Sequence, residues 1–255
     1  MIIVAYFVAL FFVVKEAKRL KIGPSKVENL TIWILVGIVV GARIWYVLEH
    51  WSYYSSNLSE ILKVWEGGLV FYGGFIGGVI GAFIYLRISH LSFSRTADAF
   101  APGLAIAVGI GRIGCFLNGC CFGKITNSWI GIRFPRRWFP PAYVSQLQRG
   151  LIHNNSLSSL KVIPTQNIST IDLLVIFGIL WYLRDKKPFE GFIFYLFLGL
   201  YGLHRFVIDF FRYYEGNALI FKLLTLSQVV SLGMIIFSII AIITGLSHKP
   251  RNFDI

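Results

Sequence analysis

Arginines at positions 43, 112 and 205, and an aspartate at 209, interrupt stretches that are otherwise apolar, and Glu66 stands at the entrance to another. An ionised group at membrane depth costs at least about 2.5 to 3.5 kcal/mol near a helix centre, so it persists where it is paired, hydrated or used. Guanidinium groups gathered inside a helix bundle suit an anionic phosphate, because their planar fork pairs bidentately with phosphate oxygens and stays charged. The natural phosphate at that depth belongs to a phospholipid. For a single arginine, snorkelling to the headgroups is an equally good account. Three at a shared level fit that account poorly.

The segment YGLHRFVIDFFR, residues 201–212, adds detail. Spacings of four, four and three place Tyr201, Arg205, Ile208 or Asp209, and Arg212 on one helical stripe, with His204 alongside. Two readings of Asp209 stay open, a partner for Arg205 or Arg212 and a working carboxylate, the pairing being the simpler. His204 is either an interfacial histidine or a base. A second segment, GRIGCFLNGCCFGK at 111–124, carries Arg112, Asn118 and all three cysteines. An odd number of cysteines, in no metal-ligand spacing and without a nearby histidine, indicates neither a disulfide framework nor a zinc site, so no metal is expected. Small apolar fillers and a reactive thiol are the readings left.

These residues need elements to hold them, and composition says which. Of 255 residues 56% are hydrophobic and 14% charged, with a mean hydropathy of +0.69. A water-soluble core would leave much of that apolar surface uncovered, so the fold class expected is an all-α polytopic membrane protein. Apolar runs near 31–48, 67–86, 97–117, 170–183, 190–211 and 225–246 are long enough to span a bilayer, and a shorter one at 2–14 makes about seven. Residues 2–14 lack a basic leader and precede Lys15, Lys18 and Arg19, so they are read as a first helix whose start is open to truncation.

Basic residues in short loops mark the cytoplasmic side. Lys15 to Lys26, Arg87 and Arg95, Arg184 to Lys187, and Lys249 with Arg251 all fall on one side, which puts the N-terminus outside and the C-terminus in the cytoplasm. The arginines of spans two, four and six then share the outer half of the membrane. The net charge of +12 is largely accounted for by these topological markers, and no nucleic acid partner is implied. Residues 118–169, rich in proline, arginine and aromatic side chains, are expected to form a small extracytoplasmic head between spans four and five. In the third span, small-residue spacings at Gly73, Gly77 and Gly81 are expected to serve close helix packing.

At GRIGCFLNGCCFG the chain resembles the bacterial prolipoprotein diacylglyceryl transferase family, whose signature runs Gly-Arg-x-Gly-Asn-Phe-x-Asn-x-Glu-x-x-Gly. Gly111, Arg112, Gly114, Phe116, Asn118 and Gly123 match it. The resemblance continues in GARIWYV, WEGGLVFYGG and YGLHRFVIDFFR, so it extends over nearly the whole chain. It implies a seven-span inner-membrane enzyme of bacteria, without a cofactor. Such an enzyme moves the diacylglyceryl group of phosphatidylglycerol to the lipobox cysteine thiol of a prolipoprotein, releasing glycerol phosphate, in the first step of lipoprotein maturation. The resemblance further implies that Arg112 binds the lipid headgroup, that Asn118 and Gly123 shape the loop beside it, and that Tyr201 and Arg205 act at the reacting centre.

Departures from the family pattern are specific. Cys115 and Cys120 stand in place of its asparagine and glutamate, Tyr72 in place of its third-span histidine, and IPTQNIS keeps only Pro164 and Gln166 of His-Pro-x-Gln-x-Tyr-Glu. The expected site therefore comprises Arg205, Tyr201, Tyr72 and His204 at the chemistry, with Arg112, Asn118, Gly123, Arg43, Glu66, Asp209 and Arg212 around the substrate. Two other readings stay open: a divergent paralogue using another lipid or acceptor, and a transporter of anions or lipids.

Overall fold

The fold comes from a computed structural model in which residues 1–214, 219–220 and 223–247 are described. Helices dominate: α1 (Ile2–Arg19), α2 (Pro24–Glu49), the short α3 (Trp51–Tyr54), α4 (Phe71–Ile88), α5 (Phe93–Asn118), α6 (Pro141–Gln148), α7 (Thr165–Leu183), α8 (Phe192–Phe211) and α9 (Leu226–Ser247). A two-residue strand pair, β1 (Leu219–Ile220) against β2 (Leu224–Thr225), precedes α9. Six of the described helices, α2, α4, α5, α7, α8 and α9, are long and apolar enough to cross a bilayer. Their exposed surfaces are largely Ile, Val, Leu and Phe, which only lipid can cover at this density. The chain is a multi-pass membrane protein.

Six helices rather than seven meet the spanning criterion. The seventh expected span, α1, is helical for 18 residues, but its last turn and a half holds Lys15, Glu16, Lys18 and Arg19. Its apolar part is correspondingly short. The basic residues Lys249 and Arg251, used to orient the last span, lie outside the described residues.

Two compact units are present, residues 14–96 and residues 1–13 with 97–255. In the first, α2 and α4 pack through small residues: a Cβ built at Gly77 would overlap the carbonyl oxygen of Gly37, and one at Gly73 that of Gly41. Backbones approach this closely only where side chains are absent, gaining dispersion contacts that lipid tails would not supply as well.

In the second unit α5, α7 and α8 enclose a core of Ala101, Ala105, Leu173, Ile176, Leu180, Ile193 and Phe197. At one end Asp98, near the start of α5, is fully buried and accepts from the backbone N–H groups of Gly191 (2.8 Å) and Phe194 (3.0 Å) and from Lys187 Nζ (2.8 Å). A carboxylate from α5 thus satisfies the orphan donors that begin α8 and complements its dipole. At the other end of the unit, residues 119–164 form an irregular segment with its own core of Phe122, Phe134, Ala142 and Val162.

Gly77→Ala should force α2 and α4 apart and destabilise the protein by roughly 1 to 3 kcal/mol, read as an earlier thermal transition in detergent. Gly178→Ala is the control, since no atom stands within 4 Å of a Cβ there.

Candidate functional site

The end of α5 determines how the signature segment is arranged. Gly119 adopts φ +69, its N–H bonds to Phe116 O (3.0 Å), and the Cys120 N–H reaches back to Cys115 O (3.1 Å). This is a Schellman termination, in which a glycine in the left-handed region lets the chain close over the last turn. Beyond it the chain threads between two other segments. The Gly123 N–H bonds to Ile163 O (2.9 Å), the Lys124 N–H to Phe211 O (2.8 Å), and the Tyr213 N–H to Phe122 O (3.2 Å). A Cβ on Gly123 would lie 2.7 Å from the carbonyl oxygens of both Ile163 and Phe211, so only glycine passes there.

Three helix ends meet at this point. Arg112 from α5, Arg205 and Ile208 from α8, Arg212 just beyond α8, Thr165, Gln166 and Ser169 from the start of α7, and Cys121 line one crevice with about 200 Å³ of empty space, open solvent included. Arg112, Arg205 and Arg212 are each partly buried. No carboxylate is among the described residues that line the crevice.

The three guanidiniums are compensated differently. Arg205 Nη2 lies 3.3 Å from Asp209 Oδ1, one helical turn on, and donates to Tyr214 Oη at 3.2 Å. Asp209 is buried and fully used, accepting from the Tyr214 hydroxyl on Oδ1 and the Thr225 hydroxyl on Oδ2. Burial, and then donation to Asp209, push the Tyr214 phenol above its ordinary value, so it remains a proton donor in this cluster. Arg212 donates to Cys121 Sγ at 3.4 Å and stacks over the Tyr214 ring at 5.3 Å. Arg112 has no hydrogen-bond or ion-pair partner among the described residues.

Gln166 completes the lining. It is 1% exposed, and its Nε2 donates to Cys120 O at 2.7 Å, which fixes the amide orientation because a carbonyl requires a donor. The Oε1 atom then has no partner, an arrangement that buried acceptors rarely keep unless something else supplies a proton.

The other expected residues are placed elsewhere. Tyr201 packs against the α5–α7–α8 core and stacks on Phe197 at 5.7 Å. His204 turns Nδ1 to Asp172 of α7 at 3.0 Å. Asn118 is the last residue of α5 and is exposed. The pairing of Asp209 falls to Arg205, not Arg212.

Three expected residues belong to the unit of residues 14–96. Arg43 is buried and gives its donors to backbone carbonyls: Nε to Ile61 (2.8 Å), Nη1 to Gly67 (2.8 Å) and Gly68 (3.3 Å), and Nη2 to Glu60 (2.6 Å), with the rings of Tyr46 and Tyr54 beside it. It holds the loop before α4. Glu66 does not open the third span. It sits in a single 3₁₀ turn, exposed and 3.8 Å from Lys63, because Gly67 and Gly68 at φ +95 and +72 delay the helix to Phe71. Tyr72, in the first turn of α4, is 60% exposed.

Gln166, Thr165, Ser169, Tyr214 and Thr225 were not among the expected site residues. The polar run TQNIST at the head of an apolar span was the available signal for the first three.

The fold and the site together define a helical membrane protein whose crevice of excess positive charge, where three helix ends meet, suits an anionic group. The family model for prolipoprotein diacylglyceryl transferase matches residues 1–244. Proteins of Francisella tularensis subsp. mediasiatica and subsp. novicida, each named phosphatidylglycerol--prolipoprotein diacylglyceryl transferase, are 32% identical over 234 residues, covering 91% of this chain and 80% of theirs. The chain belongs to the prolipoprotein diacylglyceryl transferase family.

Removing the carboxylate behind Arg205 should be costly. Asp209→Ala leaves a half-buried charge uncompensated and is expected to lower stability by roughly 3 to 5 kcal/mol, with Asp209→Asn costing less because the amide keeps an acceptor for Tyr214. Thermal unfolding of the two variants checks the order.

Proposed function

We propose that the protein transfers the diacylglyceryl group of phosphatidylglycerol to the lipobox cysteine thiol of prolipoproteins in the bacterial inner membrane. The observation that carries this reading is the crevice of Arg112, Arg205 and Arg212 without a carboxylate of its own among the described residues. Family membership supplies the reaction class. With Asp209 offsetting one guanidinium, the described groups leave an excess of about two positive charges. A phosphodiester carries one negative charge; the glycerol phosphate that leaves carries two.

The reaction asks for this asymmetry. A sulfur–carbon bond forms at the terminal glyceryl carbon while the carbon–oxygen bond to phosphate breaks, and the electron pair departs with glycerol phosphate. Fixed positive charge stabilises that departing dianion more than the bound diester, which is the differential binding that lowers a barrier. Thiol deprotonation is favoured by the same field. Gln166 Oε1, buried and unpartnered among the described residues, would accept from a hydroxyl of the headgroup glycerol. The positive-inside pattern supports an outside N-terminus and a cytoplasmic C-terminus, and residues 118–169 would form the extracytoplasmic head above the crevice.

Purified protein given phosphatidylglycerol and a lipobox peptide should form a thioether-linked diacylglyceryl peptide, and the gene should rescue a strain depleted of the authentic enzyme. Absence of both would overturn the reading. Arg112→Ala should lower turnover by roughly 10² to 10³-fold. Arg112→Lys should lose most activity too, since a point charge cannot reproduce the bidentate fork. Gln166→Leu removes both the acceptor for the substrate hydroxyl and the donor to Cys120 O, and should raise KM for phosphatidylglycerol by at least roughly 3- to 10-fold. The steady-state rates of folded variants in detergent test all three.

A further inference from the structure

We propose that Cys115, Cys120 and Cys121 form a thiolate site for one soft cation, Zn²⁺ or Cu⁺. Their spacing in the sequence conceals this. Cys115 lies three residues before the helix end at Asn118 and Cys120 two residues after it, and the Schellman termination brings those two positions face to face. Cys121, at φ +58, is held in the left-handed region that non-glycine residues seldom occupy, and there it brings its sulfur to the other two. All three Sγ atoms lie within 4.8 Å of one another, each half-buried.

Side chains from the head of α7 hold this conformation. Thr165 Oγ1 donates to Cys121 O at 2.8 Å, and Gln166 Nε2 to Cys120 O at 2.7 Å. The sulfurs are therefore presented by a clamped backbone. With zinc–sulfur bonds of about 2.3 Å, three sulfurs in a trigonal set stand about 4 Å apart, so each need move by less than about 1 Å. Thiolates select soft cations over Mg²⁺ or Ca²⁺.

Charge favours occupancy as well. Binding releases the three thiol protons to solvent and converts three sulfurs and a dication into a group of net charge −1. That group would sit beside Arg212, which already donates to Cys121 Sγ at 3.4 Å, and near Arg112 on the same crevice. With three protein ligands in the set, the ion's fourth position would take water. This proposal does not depend on the transferase reading, and its test does not use activity.

The test uses the untagged full-length protein, purified in detergent under reducing conditions, and Cd²⁺ as the probe. One equivalent should saturate an ultraviolet sulfur-to-cadmium charge-transfer band. It should also protect all three cysteines of the chain from maleimide, and EDTA should restore labelling. Cys115→Ser, Cys120→Ser and Cys121→Ser should each abolish the stoichiometric band. Unchanged labelling of wild-type protein at one equivalent would overturn the proposal, as would a native disulfide between any two of the thiols. The wild-type protection experiment decides the matter even if a serine variant fails to fold.

Discussion

A guanidinium among apolar helices must be compensated, and the way each arginine of this protein obtains compensation separates those that build the fold from those available for chemistry. Arg43 is enclosed by four carbonyl contacts and two tyrosine rings, so its charge is spent on ordering a loop. Arg205 is offset by Asp209, which is itself anchored by two hydroxyls. Arg212 has a sulfur and a ring, and Arg112 has no described partner at all. A residue that folding leaves uncompensated at this depth imposes a standing cost of a few kcal/mol, which an anionic ligand would relieve. Among the crevice arginines, the gradient from Arg205 to Arg112 is the physical content of the site.

Much of the helical architecture was legible in composition and run length, because lipid imposes a demand that sequence cannot disguise: about 20 apolar residues per crossing. The six long spans agree with the expected runs to within a few residues at most ends. The helix ends were less legible. Glu66 was placed at the mouth of a span from hydropathy alone, whereas Gly67 and Gly68 take backbone angles that no helix tolerates. Charges at 15, 16, 18 and 19 shorten the apolar part of α1 for the opposite reason, since they do not break the helix and only change its solvent.

Of the candidate site, helical spacing found Arg205 and Asp209 because they share α8, and Arg212 because it directly follows that helix. Arg112 was found because it is charged in an apolar run. What one-dimensional reading missed came from other segments: Gln166 and Thr165 reach the site only because the chain at 120–125 passes between residues 162–163 and 211–213. The cysteines show the same limit most clearly. Helical spacing keeps positions 115 and 120 apart, and only the reversal of the chain at Gly119 makes them neighbours.

The buried carboxylate of Asp98 gives the second unit a common datum. It joins the beginnings of α5 and α8, and from that tie the sequence runs fourteen residues to Arg112 on one helix (98 to 112) and fourteen to Arg205 on the other (191 to 205). Two rods counted off equally from one rivet bring their fourteenth residues to the same height, about 21 Å away at 1.5 Å per residue. The level at which these two cations line one crevice is thus gauged from the opposite end of the two helices. A one-residue insertion or deletion anywhere along either rod would turn its cation by about 100° and shift it by about 1.5 Å, so the length of these helices between tie and cation is as much a part of the site as the cations themselves.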